Sequence, residues 1–331
     1  MIKLDTIKLK LPAQSIKIVN ANLFDCITKT YMNRFNLSET YSYYPKDIIG
    51  LKCIVFNVQS DTCIIDLSAK FLGDRYYELI NRETINFLLK KLLSLKIISF
   101  NIKEFIEIAT PLKLDVTNNI KVTEQIRNYI MFISYLPSKR NATITVYRNE
   151  SIVLTNSMRT KRNKIRQIIY DKQIELNSHK KKENFCDFDR FEKVLRFETN
   201  LNSLNQIRKQ IDLKSTDTFS LKSVLEKNTR VNYNIFHYFF PFDIVVPEVY
   251  KLIHSQETLS SIIKNYGQFE ICKKFSFDFN TVKTFLRNKV KGNISNYLSD
   301  YERICNTQLN YISAEKTKNL YSEIESKLKV A

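Results

Sequence analysis

The sequence predicts an α+β fold: one large, mostly antiparallel sheet, or two related sheets, flanked by helices and followed by a helical C-terminal region. Three observations predict it. Short stretches of period-two alternation recur through the first two-thirds of the chain. Amphipathic stretches at helical spacing lie between them. Beyond about Leu221 only helical patterns remain, which puts a boundary within Ser215–Val231.

Taken in order, Asp5 to Leu11 alternates apolar and polar residues as a half-buried strand does. Lys52 to Val58 and Thr62 to Leu67 read as a hairpin closed near Ser60-Asp61. Tyr76 to Leu95 reads as a helix through Leu79, Ile85, Leu88, Leu89 and Leu92. Leu112 to Asn118 returns to strand. Val122 to Tyr135 is a second amphipathic helix, with Thr123 as its cap. Thr143 to Tyr147 and Ser151 to Thr155 form a hairpin across Arg148-Asn149-Glu150. Arg166 to Asp171 and Val194 to Leu201 are further strands. Helices follow near Val245–His254, Ser255–Tyr266, Phe279–Val290, Asn293–Thr307 and Ala314–Lys329. No internal repeat is visible in the sequence.

Composition excludes several functions. The chain is 331 residues long, 44% hydrophobic and 12% aromatic, which is globular rather than disordered. Only four glycines are present and no phosphate-loop or dinucleotide fingerprint, so an ATPase or nicotinamide enzyme is not expected. Six scattered cysteines without a CxxC pair, and three histidines, give no zinc cluster and read as reduced thiols in a cytosolic protein. Asp5 and early lysines argue against a signal peptide. The longest apolar stretch, Ile235 to Val246, is too short and too polar to span a bilayer. A net charge of +18 favours a polyanionic partner, nucleic acid first, although a Lys-, Ile- and Asn-rich chain from an AT-rich genome has the same bias.

Three segments carry the chemistry. In a strand over Leu112–Thr117, Lys113, Asp115 and Thr117 share one face. In a strand over Leu195–Leu201, Arg196, Glu198 and Asn200 do the same. Were the two strands close in one sheet, Asp115 and Glu198 could hold a hard divalent cation, Mg²⁺ or Mn²⁺. The third segment contains Tyr170, Lys172 and Glu175, and whether it is strand or helix stays open. A phenol is a poor nucleophile at neutral pH unless cations favour its phenolate, and attack on phosphorus needs charge stabilisation that Lys172 and a metal supply. Glu175 is a third ligand or a proton acceptor. From Ser157 to Lys182, nine basic residues face two acids. Arg159, Lys161, Arg162, Lys164 and Arg166 in that run, with Arg196, are candidate DNA contacts. Taken singly, each feature is also what packing or solvation produces: eighteen tyrosines are present, and a strand carboxylate or lysine-rich loop is ordinary.

The same segments, in order and at similar spacing, resemble the filamentous-phage gene II/X replication proteins and their plasmid relatives. The matching residues are the opening strand Asp5–Pro12, Asp115-Val116-Thr117, the run of Tyr170, Lys172, Glu175 and Leu176, and Arg196-Phe197-Glu198. The resemblance spans about Met1 to Ile211. It implies a rolling-circle replication initiator that nicks and rejoins one strand at an origin through a 5′-phosphotyrosine, needs Mg²⁺ or Mn²⁺, and works with a host helicase and polymerase in a bacterial cytoplasm. Residues 1–220 would then be the nicking domain, and 221–331 an origin-binding or oligomerising region, such as a homodimer contact. The two-histidine metal motif of many rolling-circle initiators is missing, which fits acidic ligands. Asp66 is a second strand aspartate that could mimic Asp115.

Two other readings stand beside this one. A non-enzymatic origin-binding initiator would use the basic run Lys283 to Lys291. An RNA-binding protein would stack bases on Tyr41, Tyr43 and Tyr44.

Overall fold

In a computed structural model of the chain, the strands are β1 (Leu4–Pro12), β2 (Lys17–Ile18), β3 (Asp25–Thr30), β4 (Leu37–Tyr43), β5 (Leu51–Asn57), β6 (Thr62–Ser68), β7 (Ile98–Ser99), β8 (Thr110–Lys121), β9 (Ala142–Tyr147), β10 (Ser151–Asn156), β11 (Arg166–Asp171) and β12 (Val194–Leu201). The helices are α1 (Ile85–Ser94), α2 (Ile102–Ile108), α3 (Ile126–Tyr135), α4 (Lys172–His179), α5 (Leu204–Ile211), α6 (Leu221–Leu225), α7 (Val231–Phe239), α8 (Phe279–Lys289), α9 (Ser295–Gln308) and α10 (Ala314–Val330). The structure describes residues 1–30, 37–136, 138, 142–148, 150–156, 164–179, 186–240, 267–268, 270–272, 274–275, 278–289, 294–308 and 314–330. The helices expected near Val245–His254 and Ser255–Tyr266 lie outside them, as do Arg159, Lys161 and Arg162.

Ten strands form one antiparallel sheet in the order β3-β4-β5-β6-β1-β8-β12-β11-β10-β9, and β2 pairs with β7 in a small second sheet. The order contains a repeat that the sequence hides. In the first half, β1 lies innermost and β3 to β6 come in from the edge as a meander, β6 pairing with β1. In the second half, β8 lies innermost and β9 to β12 do the same, β12 pairing with β8. The two innermost strands pair antiparallel, Ile7 opposite Leu114 and Lys8 opposite Lys113. Read outward from the β1–β8 seam, the two halves thus have the same strand order, and their union removes two exposed strand edges.

One sheet face is apolar because of the strand alternation. Ile7, Leu9 and Leu11 of β1, Cys63, Ile65 and Leu67 of β6, Leu114 and Val116 of β8, and Phe197 of β12 are all buried in one core. Buried residues of α1, α2, α3, α5, α6, α7 and α10 belong to the same core. Leu221, Ile235, Phe239 and, from the last helix, Leu320, Ile324 and Leu328 are among them. The pattern change after Leu221 is therefore a change of element type and not the edge of the core. A second cluster forms around Cys272, Val282, Leu286, Tyr301 and Cys305.

Two expected elements differ. Tyr76–Leu95 is not one helix: a 3₁₀ stretch runs over Ala69–Glu78, and α1 starts only at Ile85. Leu79 takes a positive φ of 62°, and Asn81 accepts hydrogen bonds from the Glu83 and Thr84 backbones. Helical spacing of the leucines does not register such a local turn. Thr123 does not cap α3, which begins after Gln125; the Thr123 hydroxyl donates to Glu323 on α10 instead.

Candidate active site on the open sheet face

The polar members of the strand alternation point away from the core. Registers place Arg166, Ile168 and Tyr170 of β11 opposite Asn200, Glu198 and Arg196 of β12. The last three lie opposite Asp115, Thr117 and Asn119 of β8. Three separate stretches of chain thereby share one patch.

Tyr170 is the penultimate residue of β11, and α4 begins at Lys172. Asp171 makes that change of direction, its carboxylate accepting from the backbones of Gln173 and Ile174 at 2.9 and 3.1 Å. The half-buried Tyr170 donates its hydroxyl to Glu198 Oε2 at 3.3 Å. Asn200 then ties the two acids together, donating from Nδ2 to Asp115 Oδ1 at 2.8 Å and to Glu198 Oε1 at 3.1 Å. Arg166, exposed, donates from Nη1 to the side-chain Oδ1 of Asn200 at 3.0 Å. Lys113 sits 3.3 Å from Asp115.

Arg196, expected as a DNA contact, is fully buried. Its Nη1 pairs with Asp5 at 2.9 Å and donates to Tyr76 Oη at 2.9 Å, while Nε donates to Asn119 at 2.8 Å. The guanidinium stacks 5.2 Å from the Tyr76 ring. It is an internal cation holding β12 to β1 and β8, with no surface to offer a phosphate. A register shift between Leu4 and Thr6 turns Asp5 towards it.

Lys172 is buried too, and pairs with Glu175 at 2.5 Å. Its Nζ lies 5.7 Å from the Tyr170 ring centre and 5.2 Å from that of Tyr76. Glu175 is thus spent on Lys172. The exposed Lys164 lies just before β11. Asp66 is on the first half of the sheet, opposite Lys8 and 3.6 Å from Lys52.

The electrostatics follow from crowding. Burial, then the Asp5 and Asp115 charges, push the Glu198 carboxyl up to about 7. Burial and the Arg196 charge lower Lys172 to about 8. Burial raises the Tyr170 phenol well above its usual 10, against the opposing pull of Arg196. Burial also opposes the Asp5 carboxylate, but Arg196 and Lys172 outweigh it and keep its pKa below the ordinary value.

Among the described residues, no group of three or more His, Cys, Asp or Glu side chains is arranged to hold a metal ion. Asp115 and Glu198, joined through Asn200, are two carboxylates of the kind that Mg²⁺ takes, with Asp115 buried and paired with Lys113. Burial first, and the Asp5 and Asp115 charges second, favour the protonated Glu198 carboxyl, and a cation bound beside it would oppose that.

Sequence reasoning missed Asp5, Tyr76, Asn119 and the bridging role of Asn200. Asn200 was legible as a member of the polar alternation on β12. Asp5 and Tyr76 carried no signal, because a strand bulge and a 3₁₀ segment bring them in. Tyr41 and Tyr43 pack against the core rather than offering free rings, and Tyr44 is exposed. No helix among the described residues is long and apolar enough to cross a membrane. Comparison with family models, curated proteins and solved structures found no match to this chain.

Proposed function

We propose that the protein cleaves and rejoins a DNA strand by transesterification at Tyr170, as a rolling-circle replication initiator does. One observation carries the reading: the Tyr170 hydroxyl lies on the sheet face away from the core, hydrogen-bonded to a carboxylate that Asn200 links to a second one. The phenol oxygen attacks phosphorus and passes its proton to Glu198, the carboxylate already accepting it. The bond from phosphorus to the 3′ oxygen breaks, and that oxygen leaves as a hydroxyl after taking a proton from water. The 5′ end stays on Tyr170 as a phosphotyrosine ester, so attack by a free 3′ hydroxyl reverses the step without ATP. Lys172, charged below about pH 8 and held against the phenol ring, offsets negative charge as it develops.

Asp115 and Glu198 Oε1, the oxygen turned away from the phenol, would hold Mg²⁺ or Mn²⁺, whose chemistry there is to neutralise phosphate oxygens and favour the phenolate. Arg166, at the far end of the nucleophile's strand, and Lys164, just before it, would position phosphates. The host helicase and polymerase, the bacterial cytoplasm and a homodimer stay with the resemblance that suggests them.

The test uses the full-length protein with Mn²⁺ and a random-sequence single-stranded DNA library. Protein–DNA adducts that survive denaturation are expected from the wild type and not from Tyr170→Phe. Sequence-selective binding with no adduct would instead support the non-enzymatic origin-binding initiator.

A further inference from the structure

The first half of the sheet repeats the topology of the second without repeating its chemistry. The counterparts of β8, β12 and β11 are β1, β6 and β5. Where the second half carries Asp115, Glu198 and Tyr170, the open face of the first carries Lys8 and Lys10 on β1, Asp66 on β6, and Lys52 on β5.

We propose that this first-half face holds the phosphates of the single DNA strand whose scissile bond lies at Tyr170. The inference rests on the strand-cleavage reading given above. Lys8 lies directly opposite Lys113 on the neighbouring strand. Like charges in that position repel; Asp66 opposite Lys8 and Asp115 beside Lys113 offset part of this, and a polyanion lying across the lysines removes the rest. Lys52 and Lys113 are 48% and 35% exposed even while paired with Asp66 and Asp115. Lys10 is exposed at the end of the row. The lysines run straight into the site, since Lys113 and Asp115 are on one strand and their side chains touch. From β5 to β11 is five strand spacings, about 24 Å.

A single strand suits this face better than a duplex. The half-buried Val55 and Ile64 lie among the lysines and give unpaired bases an apolar surface. A duplex keeps its bases inside, and its major groove admits a helix or a two-stranded ribbon but not a broad sheet.

The test is fluorescence anisotropy of a labelled oligothymidylate against salt. The Lys8→Gln/Lys10→Gln double variant is compared with Lys90→Gln/Lys103→Gln, which removes the same charge from exposed positions on α1 and α2. Thermal unfolding of each variant checks its fold. Losing two phosphate contacts should reduce the slope of log affinity on log salt by about 1.4 in the first pair only. Equal slopes in both pairs, or an equal loss on a duplex of the same length, would overturn the proposal. Covalent capture is scored separately. A wild type that shows the slope difference but forms no adduct overturns the cleavage reading and leaves this face standing as a strand-binding surface.

Discussion

At the residue scale, the site depends on buried charges that answer one another. Arg196 is enclosed with Asp5, Tyr76 and Asn119 as partners. Removing one member of such a group leaves an uncompensated buried charge, which costs about 3–5 kcal/mol. Arg196→Met should therefore lower unfolding stability by that order in a denaturant titration, far more than loss of a surface DNA contact would. Glu198 behaves in the opposite sense. Its folded pKa of about 7 lies above its ordinary 4.5, so the native state binds more protons between those values and stability falls as pH rises through the window. The whole swing is about 3 kcal/mol. Glu198→Gln should be more stable than wild type at pH 8, with the advantage gone by pH 4, as read from urea midpoints at both pH values. A variant less stable than wild type at pH 8 would contradict the crowding. Asp115, Glu198 and Tyr170 were legible because strand alternation puts every second side chain on one face. Arg196 obeyed the same rule and was still misjudged, since alternation tells which face a residue takes and not what lies over it.

At the element scale, the site relies on segments that cover the open face at one end. The 3₁₀ stretch Ala69–Glu78 brings Tyr76 over Arg196, and Phe191 packs on Tyr76 with ring centres 5.5 Å apart. Gly50 fixes the start of that stretch. Its φ is +90°, and a Cβ there would meet the Phe71 backbone nitrogen at 2.2 Å. Gly50→Ala combines a disfavoured backbone with a backbone collision and should cost well over ~1 kcal/mol. Soluble yield and unfolding temperature would report it, and wild-type values for both would contradict the close approach. On the core face, Asn232 of α7 bonds to Thr199 at 2.6 Å and to the Val116 carbonyl at 3.0 Å, fastening the helix beneath the site strands. The strands from β5 across the sheet to β9, β1 among them, were legible from periodicity, as were α3, α8, α9, α10 and the end of α1; β3, β4, α2 and α4 to α7 were not. The break at Leu79–Thr84 was not, because it comes from side-chain-to-backbone bonds of Asn81 and Thr84 that leave the leucine spacing intact.

At the scale of the whole molecule, ten strands make one platform with a helical side and a second side that, among the described residues, is covered at one end only. The mostly antiparallel sheet was expected, but not the matching strand order of its halves. Pairing is non-local, and two meanders can share a topology with no common residue pattern. The core also reaches across the change of pattern at Leu221 and takes in α10 at the end of the chain, since long-range packing leaves no mark on local periodicity. If one half of this platform cuts and the other holds, the cut must leave its mark at a single atom. Intact-mass and peptide mapping of the protein after incubation with single-stranded DNA and Mn²⁺, followed by nuclease trimming, examines that atom directly. A nucleotide should be found esterified to the Tyr170 peptide, and absent from Tyr170→Phe. A nucleotide on any other residue, or an unmodified protein beside cleaved DNA, would contradict it.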